Sequence, residues 1–504
     1  MTVGSPAVSR ASTRGPVVSA SIGAALIVIF VAMRLWRVEE FSLDGDEIFS
    51  VLLGRDTWAN LFSRAVQDAI HPPLFYLLLK PWMRIGGESL LWLRLLPVTI
   101  SVACLIPVFA LCRKLGVPAG ARNLALAIVA VHPIDVYYAQ HLRMYSLLAL
   151  LALISTWCFE RYLDRPSASR IALLTLVNFF LVYTQYYGWF IVALEFVYFV
   201  WRKRQFWAMT ISVIVTAILF SPWAVMAGRV LRGRGLEQNL GWLTRPKIGE
   251  LCWFFVDLTG FAEFPKVGIL GSVVVLIFLV MIYRRGVDSG FHWLTVLWVA
   301  PPIIAFAVSN LMAKSIWGHR HLVFTVWPFV LVFADSIWRL GRVARAISVT
   351  MIAAWVICAA AFHATDDRKL PWDALTIDIL KAEHSGAARI PLYSVDPYLH
   401  FPIWFYMECL KAGQTGPIGP HIDSHTDVRA LAATAAAFDI IKSPNLDAAR
   451  EPHFWVGFTD SSWPDKTKTA RQIIEEKGCR AGPDFKARDR FHGAVLLQVE
   501  CPVK

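Results

Sequence analysis

The sequence predicts a polytopic, all-α membrane protein with a soluble α/β domain at its C-terminus. Of its 504 residues, 56% are hydrophobic and only 17% are charged, a balance that excludes an ordinary soluble protein. The apolar residues form about eleven blocks of membrane-spanning length. After residue 363 the composition becomes ordinary, with short β-branched and aromatic runs such as residues 494–499, which are typical of a soluble α/β domain.

The first apolar block, residues 17–36, is predicted to be an uncleaved signal anchor, because arginines flank it and no small-residue cleavage site follows. Residues 228–265 are predicted to form a loop with an interfacial helix near 251–261, or alternatively to contain a further span. The remaining spans are predicted at residues 90–112, 122–138, 143–159, 171–184, 189–201, 206–227, 267–283, 292–310, 321–338 and 346–363.

The net charge of +12, from 49 Lys and Arg against 37 Asp and Glu, would indicate a nucleic-acid partner in a soluble chain. Here the basic residues recur in short segments between apolar blocks, as at residues 202–204, so we predict no nucleic-acid partner. The positive-inside rule then places the N-terminus in the cytoplasm. The predicted parts are a cytoplasmic tail (1–16), a membrane domain (17–363) with an extracytoplasmic loop (37–89), and an extracytoplasmic domain (364–504).

Eight cysteines are too few for a disulfide scaffold, and most lie in or beside apolar blocks. In an oxidising compartment Cys479 and Cys501 could pair, which would leave Cys409 alone in the C-terminal domain.

The sequence LDGDEIFS places three carboxylates, Asp44, Asp46 and Glu47, directly after the first span. A structural interpretation is that Asp46 caps a short helix and Glu47 favours its first turn. A functional interpretation is that Asp46 is a general base that faces a water-filled cavity. A site for a hard metal ion on the three carboxylates is a further alternative.

Two further polar motifs lie at the same predicted surface. His71, followed by two prolines, is either a solvated cap at a helix start or a ligand for a phosphate oxygen. The sequence VHPIDVYYAQHLRMYSLL brings Asp135, Arg143 and Tyr145 to the junction of two spans. Either Asp135 pairs with Arg143 beside a proline kink, or Arg143 is a fork for an anionic oxygen.

Two later span ends, in TQYYGWF and WGHRHLVF, carry Gln185, Tyr186, His319 and Arg320. Aromatic residues at span ends are usually interfacial anchors. Because these ends are predicted to face the same side as the acidic motif, their polar groups are also candidates for contact with a substrate or its phosphate.

The order of these motifs resembles the GT-C superfamily of membrane glycosyltransferases, specifically the bacterial family related to protein O-mannosyltransferases and the lipid A aminoarabinose transferase. The resemblance covers roughly residues 20–340. The matching segments are DGDEIFS, HPPLFYLLLKPWMRIGGESLLWLRLLPV, YYAQHLRMYSLLALL, TQYYGWF and HRHLVFTVWPF.

The resemblance implies a GT-C membrane domain of about 11 helices with juxtamembrane helices, in a bacterial inner membrane with the active site on the periplasmic side. It implies transfer of one sugar from a polyprenyl-phosphate donor to a hydroxyl of a lipid, glycan or protein acceptor. Asp46 matches the family's acidic catalytic position and Glu47 its neighbour. His71 occupies a place near the donor phosphate, and Arg143 matches a motif arginine. The chain departs from the family at His141 and Gln185.

A lipid phosphate is a good leaving group, so one base, Asp46, can suffice without the protonating acid of glycoside hydrolysis. We predict no cofactor, with a divalent metal as the open alternative. The other functions considered are a transporter or flippase for an anionic lipid or solute, and a noncatalytic scaffold. The predicted phosphate-binding residues are His71, Arg143 and Arg320, and the predicted substrate-binding residues are Asp44, Asp135, Tyr145, Gln185, Tyr186 and His319.

Overall fold

A computed structural model gives the structure of the chain. It describes residues 14–201, 206–234, 244–260, 271, 273, 277, 289–365, 369–383, 391–394, 397–411, 439–442, 452–459, 470–488 and 493–502.

Seven helical segments in these ranges are long and apolar enough to cross a membrane, and three shorter apolar helices accompany them. These seven and three segments coincide with ten of the predicted spans. The other predicted span, residues 267–283, lies largely outside the described residues. The chain is a multi-pass membrane protein. The seven long segments are Val18–Leu35, Leu90–Lys114, Tyr145–Asp164, Phe206–Arg232, Phe291–Leu311, His319–Trp338 and Arg342–Thr365, and the shorter helices are Ala119–Val131, Ala168–Thr184 and Gly188–Trp201.

The helices of the membrane part follow one another in chain order, with one 3-10 helix, His319–Thr325, leading into the second-last of them. They are α1 (Arg14–Leu35), α2 (Gly45–Arg55), α3 (Trp58–Asp68), α4 (Leu74–Gly86), α5 (Leu90–Ala103), α6 (Leu105–Lys114), α7 (Ala119–Val131), α8 (Pro133–Ala139), α9 (Tyr145–Asp164), α10 (Ala168–Thr184), α11 (Gly188–Trp201), α12 (Phe206–Arg234), α13 (Ile248–Asp257), α14 (Ser289–Leu311), α15 (Val326–Trp338) and α16 (Arg342–Thr365).

Two predicted segments take a form that prolines and length explain. The predicted span 122–138 is divided into α7 and α8, because Pro133 has no N–H for the helical ladder and its ring clashes with the preceding turn. In the region predicted as a loop, α13 has 10 residues. Such a helix is about 15 Å long, half the thickness of a hydrocarbon core, so it has the length of an interfacial helix.

The apolar interior has two main parts. The first lies within the membrane bundle and includes the fully buried rings of Trp293, Trp298 and Trp327. The second joins the juxtamembrane helices to the C-terminal domain, since Ile48 of α2 belongs to the same cluster as Tyr406. The membrane part and the C-terminal part therefore share one apolar core beside the acidic motif.

The C-terminal part is an α/β unit with a five-stranded sheet in the order β2-β1-β3-β5-β4. Strand β1 pairs in parallel with β2 and β3, and β5 runs antiparallel to β3 and β4. Cys479 and Cys501 form a disulfide and Cys409 is free, which confirms the predicted pairing. The elements are α17 (Trp372–Glu383), β1 (Pro391–Ser394), α18 (Pro397–Lys411), β2 (Asp439–Lys442), β3 (His453–Thr459), α19 (Ala470–Glu476), β4 (Arg480–Arg488) and β5 (Gly493–Glu500).

Candidate active site

The acidic motif forms the start of α2. Asp44 is the N-cap: its Oδ1 accepts from the Glu47 N–H at 3.0 Å, and the Asp44 N–H donates to Glu47 Oε2 at 3.1 Å. This reciprocal capping box satisfies two backbone donors at the helix start. The expectation that Asp46 caps the helix is wrong, because the residue two positions earlier takes that role. The Asp46 carboxylate is therefore left for other contacts.

Glu47 lies in a sealed set of ionic groups, which we call the Glu47 cluster. Its carboxylate is fully buried. Lys369 contacts one carboxylate oxygen, Arg94 Nη2 lies 3.5 Å from the same oxygen, and the Leu142 N–H donates to the other at 2.9 Å. Asp44 Oδ2 lies 2.8 Å from His141 Nε2 and 3.7 Å from Lys369 Nζ. The cluster consists of Asp44, Glu47, Arg94, His141 and Lys369.

The two carboxylates of the Glu47 cluster are ionised by their partners. Burial raises the pKa of Glu47, but Lys369 and Arg94 outweigh burial and hold it below its usual range. Burial likewise raises the pKa of Asp44, while His141 and Lys369 lower it further and leave it well below the ordinary value. Both groups are anions at neutral pH.

Asp46 lies on the opposite side of this helix start, in more open surroundings. Its side chain is 39% exposed, and its Oδ2 accepts from Arg320 Nη1 at 2.9 Å. Burial raises the pKa of Asp46, but Arg143 and Arg320 more than offset this and keep it below its usual range. We call Asp46, Arg320, Arg143 and His71 the Asp46 face. It presents an ionised carboxylate between cations and is accessible to solvent.

Arg143 is buried beneath Asp46 and holds the helix start in place. Its Nη1 donates to the backbone oxygen of Asp46 at 3.2 Å, to Ser50 Oγ at 3.3 Å and to the Tyr76 hydroxyl at 3.0 Å. Its Nη2 donates to His71 Nδ1 at 3.1 Å. The sequence left open a pairing of this arginine with Asp135, and that alternative is wrong.

His71 is buried next to Arg143, so the expectation of a solvated helix cap is wrong. Burial lowers the pKa of His71, and Arg143 lowers it further, so the net shift is downward. At neutral pH the imidazole is uncharged, with Nδ1 accepting from the arginine. The proton then lies on Nε2, where it can be donated to a neighbouring group.

The 3-10 helix His319–Thr325 supplies Arg320 and its neighbours. His321 Nδ1 lies 2.7 Å from Gln185 Nε2, so two of the predicted polar span ends meet. Gln185 Oε1 in turn accepts from the Tyr187 N–H at 2.9 Å. His319 is 37% exposed, and its Nδ1 lies 2.7 Å from Asp257 Oδ2. These contacts fix the segment from which Arg320 reaches Asp46.

Tyr145 is fully buried, and its hydroxyl has no hydrogen-bond partner among the described residues. Its ring lies 4.7 Å from that of Tyr138, 5.8 Å from His141 and 6.3 Å from His321, measured between centroids. A buried hydroxyl without a partner costs free energy unless a bound molecule pairs with it. Tyr145 is therefore a strong candidate for contact with a substrate.

Two predicted substrate residues make contacts with protein groups instead. The carboxylate of Asp135 forms a buried ion pair with Arg34 of the first span. The Tyr186 hydroxyl donates to the Ala69 carbonyl at 2.9 Å and accepts from Trp223 Nε1 at 3.0 Å. Both side chains tie membrane helices to the elements that surround the Asp46 face.

Sequence reasoning gave no role to Arg94 and Lys369 of the Glu47 cluster, or to Ser50 and Tyr76 beside Arg143. A charged residue inside an apolar block is a functional signal, and this signal could have identified Arg94. No local pattern distinguishes Lys369. The three carboxylates that suggested a metal site do not converge, because the structure brings Asp44 and Glu47 together with His141 and leaves Asp46 apart.

Comparison with known proteins gives the fold. No protein-family model and no curated protein sequence matches the chain. The apo structure of ArnT from Cupriavidus metallidurans aligns with a TM-score of 0.56 and 12% identity, covering 96% of this chain and 98% of that one. The same protein bound to undecaprenyl phosphate gives 0.50 and 11% over the same shares. The oligosaccharyltransferase of Archaeoglobus fulgidus with zinc and sulfate gives only 0.41 and 13%, over 84% of this chain and 62% of that one.

ArnT is a lipid A aminoarabinose transferase with a GT-C fold. Its alignment covers nearly the whole of both chains, so the predicted GT-C architecture is confirmed. At this level of identity the likeness establishes the fold, and the chemistry has to be argued from the residues of the site.

Proposed function

We propose that this protein is an inverting glycosyltransferase that moves a sugar from a polyprenyl-phosphate donor to an acceptor hydroxyl on the extracytoplasmic side of the membrane. The observation that carries the proposal is the Asp46 face: an ionised, accessible carboxylate bonded to Arg320 at the outer end of a membrane bundle. The fold supports it, since ArnT shares the fold and binds undecaprenyl phosphate in one of its structures.

The proposed reaction is a single displacement. The acceptor oxygen attacks the anomeric carbon while the bond from that carbon to the phosphate oxygen breaks. The acceptor's proton passes to Asp46, and the bonding electrons leave with the lipid phosphate. Because the phosphate is stable as an anion, its departure needs no protonating acid, and attack from the opposite face inverts the anomeric configuration.

The cations of the Asp46 face are proposed to receive the leaving phosphate. Arg320 is the more accessible arginine, with its side chain 28% exposed, and we assign it direct contact with a phosphate oxygen. Arg143 is buried and acts through its charge and by fixing the Asp46 backbone. His71 is assigned a hydrogen bond to the phosphate from Nε2, since its Nδ1 accepts from Arg143.

The remaining residues are proposed to divide between substrate contact and positioning. The unpartnered Tyr145 hydroxyl is assigned to a hydroxyl of the transferred sugar. Asp44 and His319, both partly exposed, are assigned to the substrate side of the site. The residues assigned to positioning are Glu47, Asp135, Gln185 and Tyr186, whose polar atoms contact protein groups.

The sidedness of the reaction rests on two independent features. The basic segments between spans favour an N-terminus in the cytoplasm, which puts the acidic motif outside. The disulfide between Cys479 and Cys501 lies in the domain that follows the last span, and structural disulfides persist in oxidising compartments. Both support a bacterial inner-membrane protein with its active site and C-terminal domain on the periplasmic side.

Turnover of the purified protein with a panel of polyprenyl-phosphate sugars and acceptors tests the proposal. We expect transfer by the wild type and a loss of about 10²- to 10⁴-fold in kcat for Asp46→Asn, the usual contribution of a general base. Asp164→Asn is the matched control, because this carboxylate is exposed and pairs with Lys114 at the other predicted face. NMR of the product's anomeric proton checks inversion.

Retained transfer by Asp46→Asn would overturn the assignment of the base. Absence of transfer with every donor, together with protein-dependent movement of an anionic lipid or solute in vesicles, would replace the proposed enzyme with a transporter.

A further inference from the structure

Lys369 lies just after the last span and reaches back to the acidic motif. Its side chain is only 7% exposed. The ammonium group contacts a carboxylate oxygen of Glu47 and lies 3.7 Å from Asp44 Oδ2. These two carboxylates form the capping box that brackets Asp46 at the start of α2. Lys369 is thus a buried cation between two acidic groups, one helical turn apart, next to the proposed base.

The same groups would otherwise be a donor set for a metal ion. Asp44, Glu47 and His141 each offer one ligand atom, and these atoms lie within 4.8 Å of one another. Carboxylate oxygens and an imidazole nitrogen suit a divalent cation such as Zn²⁺ or Mn²⁺. The donor set by itself therefore does not decide between a metal and another cation.

The charges of the cluster decide between the two. Two carboxylates face two permanent cations, Lys369 and Arg94, so the cluster is neutral before His141 is counted. A divalent ion among the three donors would lie next to a buried ammonium group, and like charges repel strongly at such distances in a poorly solvated site. The chain's own residues already supply the cation that these donors attract.

We propose that Lys369 takes the place of a divalent metal in this cluster and positions the catalytic segment. It neutralises Asp44 and Glu47, keeps the capping box closed and so holds Asp46 in register with Arg320. It reaches Asp46 only through the other two carboxylates and is therefore a positioning residue. The part of the proposal that concerns turnover rests on the proposed glycosyltransferase function, whereas the part that concerns metal binding does not.

Neighbouring contacts anchor the lysine. Ser42 Oγ donates to the Leu370 carbonyl at 2.8 Å and accepts from the Trp372 N–H at 2.9 Å. The segment that carries Lys369 is thereby bonded to the chain just before the acidic motif. The ammonium group is placed by backbone contacts on both sides of the cluster, as a pre-organised cation would need to be.

Metal binding by the full-length purified protein tests the proposal without any assay of turnover. Isothermal titration with Zn²⁺ is expected to show no site at this cluster in the wild type or in Lys369→Arg. Lys369→Ala is expected to gain one site, and Lys369→Ala/His141→Ala to lose it again. If Lys369→Ala fails to fold, Lys369→Met keeps the packing volume and takes its place.

The proposal would be overturned if Lys369→Ala and Lys369→Met bind no more Zn²⁺ than the wild type. It would equally be overturned by a wild-type site that disappears in His141→Ala.

Turnover supplies the second readout. Wild-type transfer is expected to be unchanged by a chelator and by added Zn²⁺ or Mn²⁺. Lys369→Ala should lose about 100-fold in kcat, as expected when a catalytic group is displaced by about 1 Å, and should regain part of it with added metal, while Lys369→Arg stays near wild type. Wild-type transfer that a chelator abolishes and metal restores would overturn the proposal while leaving the enzyme standing. Absence of transfer under all conditions would instead overturn the proposed function and leave the titration result intact.

Discussion

Asp46 and Glu47 are adjacent in sequence and lie in opposite surroundings. Glu47 is sealed inside the protein, where its two oxygens are taken by Lys369, Arg94 and backbone N–H groups. Asp46 is 39% exposed, and among the described residues its side chain is bonded to Arg320. The two carboxylates differ in access although both are ionised.

The comparison shows how one short motif can supply both rigidity and reactivity. A helix start places successive side chains about 100° apart, so one carboxylate can point into the interior while its neighbour points out. The buried one closes the capping box and fixes the backbone. The outer one is then held in place without being enclosed, which is what a proton acceptor for a large substrate requires.

Replacing the buried carboxylate should have the largest effect. Glu47→Gln leaves Lys369 and Arg94 as uncompensated buried cations, and breaking such a pair costs about 3–5 kcal/mol of folding stability. Thermal or urea unfolding of the purified protein in detergent measures it. Because the pKa of Glu47 is depressed, its contribution is complete above the unfolded-state pKa and is lost as pH falls through the folded-state value. The variant should lack this acid sensitivity.

Asp46→Asn is the matched comparison in the same unfolding experiment. Its stability should lie close to that of the wild type, since the carboxylate is accessible and its partner Arg320 is also partly exposed. Equal losses of stability in the two variants would contradict the division between a sealed and an open carboxylate.

Replacing the exposed cation should have a smaller effect and should move the pH profile. Arg320→Gln removes a charge that lowers the pKa of Asp46. The base must be ionised, so activity is lost as pH falls through its pKa, and removing the cation raises that pKa. The acid limb of kcat/KM should therefore move to higher pH, and kcat should fall by about 10²- to 10³-fold with the loss of phosphate stabilisation.

A kcat/KM profile of Arg320→Gln whose acid limb coincides with that of the wild type would separate Arg320 from Asp46. Arg345→Gln is a suitable control, because Arg345 is near the predicted cytoplasmic end of the last span and bonds to the Trp338 carbonyl.

Removing an unpartnered hydroxyl should have the smallest effect. Tyr145→Phe deletes a buried group that has no hydrogen-bond partner in the described part of the chain, so stability should be unchanged or slightly higher. If the hydroxyl pairs with the sugar, kcat/KM should fall by about tenfold, which corresponds to one neutral hydrogen bond. Tyr162→Phe, a buried tyrosine at the far end of the same helix, should leave kcat/KM unchanged.

The sequence predicted the membrane architecture well, because hydropathy over a whole span is a strong local signal. The span beginning at Leu90 and the helix beginning at Tyr145 lie within a few residues of their predicted starts. Strand β5 also contains the predicted run 494–499. The importance of LDGDEIFS followed from carboxylates at a membrane surface, which need a reason to be there.

The pairing of charges could not be predicted, because it depends on contacts between distant parts of the chain. Asp135 pairs with Arg34 and not with the nearby Arg143, since a break at Pro133 reorients the short helix that carries it. Lys369 meets Glu47 across 322 positions of sequence. Capping also depends on backbone geometry, so Asp44 and Asp46 could not be told apart from composition.

The shared apolar core and the bonds from Ser42 to Leu370 and Trp372 have a practical consequence for engineering. Tyr406 of the C-terminal domain also accepts a hydrogen bond from the Leu43 N–H, immediately before the acidic motif. The C-terminal domain is thus not an interchangeable cassette. A chimaera that grafts another such domain after residue 365 would have to transplant residues 42–47 with it, because the graft and the loop were shaped as one piece.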